Sequence, residues 1–147
     1  MIRRPPRSTP KPSSAASDVY KRQVFLSVTA SLTYNKNINN IVTGVCQTDY
    51  SGYPDCRQIF IESMEKSLNL ALDSEIKIHT PLMYLTNAEP WRLGKDVGCL
   101  EIIIHHTHTD YNGNRTDFNE WGYGALDNPA SQLRAKGYQE AKAKGWI

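Results

Sequence analysis

Nine residues, Asp49-Tyr50-Ser51-Gly52-Tyr53-Pro54-Asp55-Cys56-Arg57, constrain what this chain can fold into more than any other stretch. Upstream, the β-branched run Ile41–Val45 reads as a buried strand. Downstream, Gln58–Leu72 sets Phe60, Met64, Leu68 and Leu72 four residues apart, which is the core face of a helix. The segment is therefore a strand, a loop and a crossover helix. In an open α/β sheet the loops leaving the carboxyl ends of strands line the ligand crevice. This loop carries carboxylates, a guanidinium, a thiol, a hydroxyl and phenols, more polar chemistry than a connector needs. Local geometry also supplies plainer roles: Asp55 as an N-cap completed by Gln58, with Gly52 and Pro54 shaping the turn. Arg57, near the first helical turn, has the planar fork suited to a carboxylate or phosphate.

The remaining elements follow from pattern. Val24–Lys36 predicts a helix with an apolar stripe of Phe25, Val28 and Leu32, and Ile76–His79 a strand stopped by Thr80-Pro81. Pro90 opens a helix through Trp91, Leu93 and Val97 to Gly98. The mostly apolar run Leu100–Ile104 suits a strand that delivers His105-His106-Thr107-His108-Thr109-Asp110. Strand and helix alternate, so the fold class is α/β, a parallel sheet wrapped by helices.

Residues 1–23 stand apart. They carry six basic residues against Asp18, are rich in proline, and have too few large apolar residues for a core. Ser13–Gln23 resembles the translated sequence of a sequencing-library adapter, so the fold is expected in 24–147. Without 1–23, the chain's 17 basic and 15 acidic residues become 11 and 14, a net charge of −3 in place of +2. That removes any basic footprint for nucleic acid, and no apolar run is long enough for a membrane span. Cys46, Cys56 and Cys99 are odd in number and unrelated in spacing, which points to a reducing, cytoplasmic setting.

The loop, with Gly44-Val45-Cys46-Gln47-Thr48 before it, resembles the signature of the 7-cyano-7-deazaguanine synthases of the PP-loop ATP pyrophosphatase superfamily. The likeness extends through Leu85-Thr86-Asn87-Ala88-Glu89, Tyr111-Asn112-Gly113, Trp121-Gly122-Tyr123-Gly124 and Leu133-Arg134-Ala135-Lys136-Gly137-Tyr138. It covers the C-terminal part of that family and implies a Rossmann-like domain, of the adenine nucleotide alpha hydrolase-like kind, whose N-terminal strands are missing here. The implied activity is ATP-dependent conversion of 7-carboxy-7-deazaguanine and ammonia to the nitrile, on the route to queuosine, with magnesium accompanying ATP. The implied substrate-binding residues are Asp49, Tyr50, Ser51, Gly52, Tyr53, Asp55, Cys56 and Arg57. A homodimer is compatible with the resemblance; nucleic acid and membrane are not expected as partners.

Departures from the family pattern matter as much. The phosphate-binding Ser-Gly-Gly-x-Asp-Ser loop is absent, so the catalytic residues are unknown and the chain alone is expected to be inactive. Asn87 stands where the family has lysine and is expected to cap the helix that Pro90 enters. The family's four zinc cysteines are replaced by Asp110, Ala125, Asn128 and Ser131, so no zinc is expected. In its place Asn128 is expected to cap a helix opened by Pro129, with Phe118, Trp121 and Tyr123 clustering nearby and Asp110 pairing with Arg134 or Arg115. Two alternatives remain: a non-catalytic deazapurine-binding relative, and a metal-dependent hydrolase using His106, His108 and Asp110 at alternating strand positions.

Overall fold

The computed structural model describes residues 21–48, 53–110 and 112–147, which form two compact units. Asp49, Tyr50, Ser51 and Gly52 of the signature loop lie outside the described residues, as does Tyr111.

The first unit runs to Gln47 and resumes from Tyr53 to Met83. Its order is α1 (Lys21–Asn35), β1 (Asn40–Val42), a 3-10 turn (Pro54–Cys56), α2 (Gln58–Leu72) and β2 (Lys77–His79). The helix α1 takes in Lys21–Gln23, upstream of the expected start at Val24. β1 and β2 pair in parallel, Asn40 with Lys77, Ile41 with Ile78 and Val42 with His79. The mixed α/β composition with a parallel sheet agrees with the sequence pattern. α2 has the expected bounds: Phe60, Met64, Leu68 and Leu72 pack on a core of Leu26, Ala30, Ile41, Val45, Ile61, Ile76, Ile78 and Met83. Asp73 in the left-handed region ends the helix, its N–H returning to the Asn69 carbonyl. Side chains of α2 close the outer edge of β2: Asn69 brackets Ile76, its Oδ1 accepting from the N–H at 2.7 Å and its Nδ2 donating to the carbonyl at 2.8 Å, and Glu65 Oε2 accepts from Ile78 N at 2.7 Å.

The buried line of α1 is Leu26, Ala30 and Thr33, whereas the apolar stripe of Phe25, Val28 and Leu32 is 67, 63 and 54% exposed. The 3.6-residue period marks an apolar stripe without saying what covers it.

The second unit takes in Thr48 and Tyr84–Ile147. It contains α3 (Glu89–Asp96), α4 (Leu100–His106), an antiparallel hairpin of β3 (Phe118–Asn119) and β4 (Gly122–Tyr123), and α5 (Pro129–Ala143). Its core gathers Ala88, Trp91, Ile104, Trp121, Ala135 and Ala141. Leu100–Ile104 is helix, correcting the strand reading; α3 and α4 approach so closely that a Cβ on Gly94 would meet the Ile103 side chain at 2.4 Å. Asn87 is no cap either. Ala88 occupies that position, while the Glu89 carboxylate folds back onto Thr86 N at 2.6 Å and Thr86 Oγ1 at 2.9 Å. Asn87 instead lends its backbone: its carbonyl lies against Gly137 of α5, where a Cβ would come within 2.2 Å.

Candidate functional site

β1 runs toward the signature loop, so the loop leaves the carboxyl end of a parallel strand. Tyr53 is half-buried; Asp55 and Cys56 are buried in the 3-10 turn; Arg57 is exposed and turns its Nε back to the Pro54 carbonyl at 3.0 Å. Four of the expected residues are thus brought into one turn. Asp55 does not cap α2, because the helix begins at Gln58 with Arg57 in the cap position, where the Arg57 side chain makes no capping hydrogen bond. The role passes to Gln47, whose Oε1 accepts from Gln58 N at 2.9 Å while its own N–H is held by the Met83 carbonyl at 2.8 Å.

Asp55 has another attachment. Arg22 on α1 donates from Nε to Asp55 Oδ2 at 3.2 Å and from Nη2 to Cys56 Sγ at 3.2 Å. Asp55 Oδ1, sealed from solvent, has no partner among the described residues. An unmet buried acceptor costs about 1–3 kcal/mol, so the turn keeps a carboxylate oxygen in a state that folding alone disfavours. Sequence reasoning missed both Arg22 and Gln47. Arg22 lay in the segment set aside for its composition, and Gln47 caps across eleven positions, beyond any local rule.

The second unit brings Asp110, Ala125, Asn128 and Ser131 together. Asp110 Oδ2 accepts from Ala125 N at 3.0 Å and from Ser131 Oγ at 3.3 Å, and Oδ1 accepts from Asn112 N at 2.7 Å. Asn128 caps α5, as expected, with its Oδ1 accepting from Ser131 N at 2.9 Å and its Nδ2 reaching Ser131 Oγ at 3.1 Å. Burial opposes the Asp110 charge, but the donors from Ala125, Asn112, Asn128 and Ser131 outweigh it and hold the carboxyl below the ordinary aspartate range. Gly124 allows the approach, its φ of 138° bringing backbone to where a Cβ would sit 3.0 Å from Ser131 Oγ.

Among the described residues Asp110 pairs with neither Arg134 nor Arg115. Arg134 instead donates to the carbonyls of Trp121 at 2.9 Å and Ile103 at 2.8 Å and to the hydroxyls of Thr107 and Thr109, both at 2.9 Å, with its plane over the Trp91 ring. Burial lowers its pKa, and the α4 carboxyl end it meets favours a cation. The aromatic expectation divides: Phe118 meets Tyr123 edge-on at 4.8 Å, while Trp121 joins the core. His106 sits exposed at the end of α4 and His108 Nε2 contacts the Asn114 carbonyl at 2.8 Å, so the alternating strand geometry of the hydrolase reading is not formed.

A family model, queuosine biosynthesis protein QueC, matches residues 13–142. The chain belongs to the QueC family. Its similarity to 7-cyano-7-deazaguanine synthases is 46% identity over 123 residues for one from a Polaromonas species, covering 82% of this chain and 52% of the relative. For one from Helicobacter pylori it is 44% over 124 residues, covering 84 and 54%. The chain thus spans about half the length of the curated QueC relatives it matches. The match begins upstream of Arg22, so the family region includes the residue that holds Asp55. Among the described residues no helix is long and apolar enough to cross a membrane.

Proposed function

We propose that this chain is the C-terminal part of an enzyme that converts 7-carboxy-7-deazaguanine and ammonia to 7-cyano-7-deazaguanine at the expense of ATP, in the cytoplasm and without nucleic-acid or membrane partners. The observation that carries the reading is the placement of Asp55 and Cys56, buried and fixed by Arg22, in the turn leaving the carboxyl end of β1. Asp49, Tyr50, Ser51, Gly52, Tyr53, Asp55, Cys56 and Arg57 are assigned to the substrate, with Arg57 exposed and suited to its carboxylate. ATP and its magnesium belong to a phosphate-binding loop that this sequence lacks, so no residue here is assigned to them and the chain alone is inactive. Homodimerisation of the complete enzyme is compatible with this reading.

We assign no zinc to the second unit. Alanine offers no donor, and Asp110 Oδ2 is already engaged by Ala125 and Ser131. Chelator is expected to leave the melting curve unmoved and metal analysis to find no stoichiometric zinc; one tightly held zinc per chain would reverse the assignment.

The activity is tested in a chimera carrying the N-terminal part of the Polaromonas relative ahead of this chain, assayed for ATP-dependent nitrile formation. Asp55→Ala and Arg57→Ala are each expected to lower turnover by about 100-fold, the scale of a misplaced reacting group, with little change in Tm. Parallel loss of stability and activity would make the loop structural. The 147-residue chain by itself is expected to show no turnover.

A further inference from the structure

The chain has ten asparagines, and Asn112 alone is followed by glycine. The pair lies in the connection between α4 and the β3–β4 hairpin, both residues exposed, with Gly113 at a φ of 72°. Asparagine is a thermolabile residue because it carries an electrophile, its side-chain carbonyl carbon, next to a nucleophile, the following peptide nitrogen. Two things ordinarily keep them apart: the Cβ of the following residue, which glycine lacks, and the hydrogen bonds that hold both groups in place.

Both restraints are slight at Asn112. A Cβ built on Gly113 would meet nothing within 4 Å, so there is room about its nitrogen for a ring to close. Among the described residues the Asn112 side chain makes one hydrogen bond, from Nδ2 to the Asp127 carboxylate at 3.4 Å, beyond the usual range. The Gly113 N–H gives one at 3.2 Å, the long end of that range, to the Asp110 carbonyl. Asn114 is held otherwise. Its Oδ1 accepts from the N–H groups of Thr116 and Asp117 at 3.0 and 3.1 Å, its Nδ2 donates to Asp117 at 2.7 Å, and arginine follows it. Asn128 is buried in its cap and precedes proline, which has no N–H to give up.

We propose that Asn112 is a site of spontaneous deamidation in the folded chain, and that its products loosen the polar network around Asp110. The Gly113 nitrogen, on giving its proton to hydroxide, adds to Asn112 Cγ. The Cγ–Nδ2 bond breaks, Nδ2 takes a proton from water and departs as ammonia, and a cyclic imide remains. Water then opens the imide. Addition at Cγ breaks its bond to the Gly113 nitrogen and leaves aspartate. Addition at the main-chain carbonyl carbon breaks the other bond and leaves isoaspartate, with the main chain running through Cβ and Cγ. Nothing is oxidised or reduced, and water is the only co-reactant.

Either product sets a carboxylate against Asp127 where an amide had donated, a like-charge contact in place of a hydrogen bond. Isoaspartate also lengthens the main chain between the N–H that holds Asp110 Oδ1 at 2.7 Å and the N–H that holds the Asp110 carbonyl. Because Asp110 joins the Ala125 N–H to the Ser131 hydroxyl, the change reaches the start of α5.

The test holds the 147-residue chain at mildly alkaline pH, below its melting temperature, and follows each asparagine by tandem mass spectrometry of its peptides. Asn112 is expected to divide into aspartyl and isoaspartyl forms many-fold faster than Asn114 or Asn128. The isoaspartyl share is read independently by methyl transfer from S-adenosylmethionine with an isoaspartyl methyltransferase. The Tm is expected to fall by a few degrees as the products accumulate, and to hold through the same incubation in Asn112→Gln, whose longer side chain closes the ring far more slowly. Asn112→Asp, carrying the added charge from the outset, is expected to start at the lowered Tm. The site is overturned if Asn112 keeps its amide in the folded chain while a synthetic peptide of residues 110–115 loses it, or if Asn114 or Asn128 reacts as fast. Deamidation with an unmoved Tm would overturn the effect on the network.

Discussion

Asp55 and Asp110 are both aspartates about 5% exposed, yet they are held in opposite ways. Asp110 receives neutral donors from a turn, a hairpin and a helix start, so its charge is spread over bonds that folding itself supplies. Asp55 receives one guanidinium on one oxygen and leaves the other with no partner among the described residues. The difference separates a carboxylate that serves the fold from one that the fold tolerates. Fully met buried polar groups rigidify a core, whereas an unmet one marks a place where stability has been given up for something else.

Asp110→Ala should break the contrast most severely: the backbone N–H groups of Asn112 and Ala125 and the Ser131 hydroxyl all lose their acceptor. It is expected to cause the largest fall in Tm of any substitution considered, read by thermal melting. Arg134→Met comes next, costing about 2–4 kcal/mol by denaturant titration because the Trp121 and Ile103 carbonyls lose a charged donor. Asp55→Asn should change stability by no more than about 1 kcal/mol, since it exchanges a partly exposed ion pair and an unmet acceptor for a neutral amide. If it destabilises as strongly as Asp110→Ala, the two aspartates are alike. The smallest effect is on pH. The carboxyl of Asp110 is held below the ordinary range, so its contribution is present above the unfolded aspartate value and is lost as pH falls through the folded one. Stability should decline below about pH 4, and Asp110→Asn should flatten that decline. Glu65, Glu89 and Glu120, all shifted the same way, leave a residual slope.

What the sequence made legible was local. The α2 face of Phe60, Met64, Leu68 and Leu72 and the Asn128-Pro129 start of α5 depend on neighbours within a few positions, and both formed as expected. The short run Leu100–Ile104 was ambiguous, because four apolar residues around Glu101 suit a strand and a helix equally; the close approach at Gly94 goes with the helix. The cap of α2 depended on Gln47, and the attachment of Asp55 on Arg22, thirty-three positions away. Such contacts have no period to read. Charge complementarity misled in the second unit, where Arg134 takes carbonyls and hydroxyls in preference to Asp110.

The bracketing of Ile76 and Ile78 by Asn69 and Glu65 also bears on solubility during synthesis. A sheet with two open edges can add chains at both ends and so polymerise. With the β2 edge occupied by side chains of its own helix, this sheet has one adhesive border. Two nascent copies that met before the full sheet was assembled could join border to border, and the pair would then have nothing left to offer a third. Misassembly would therefore stop at a reversible dimer instead of seeding a fibre.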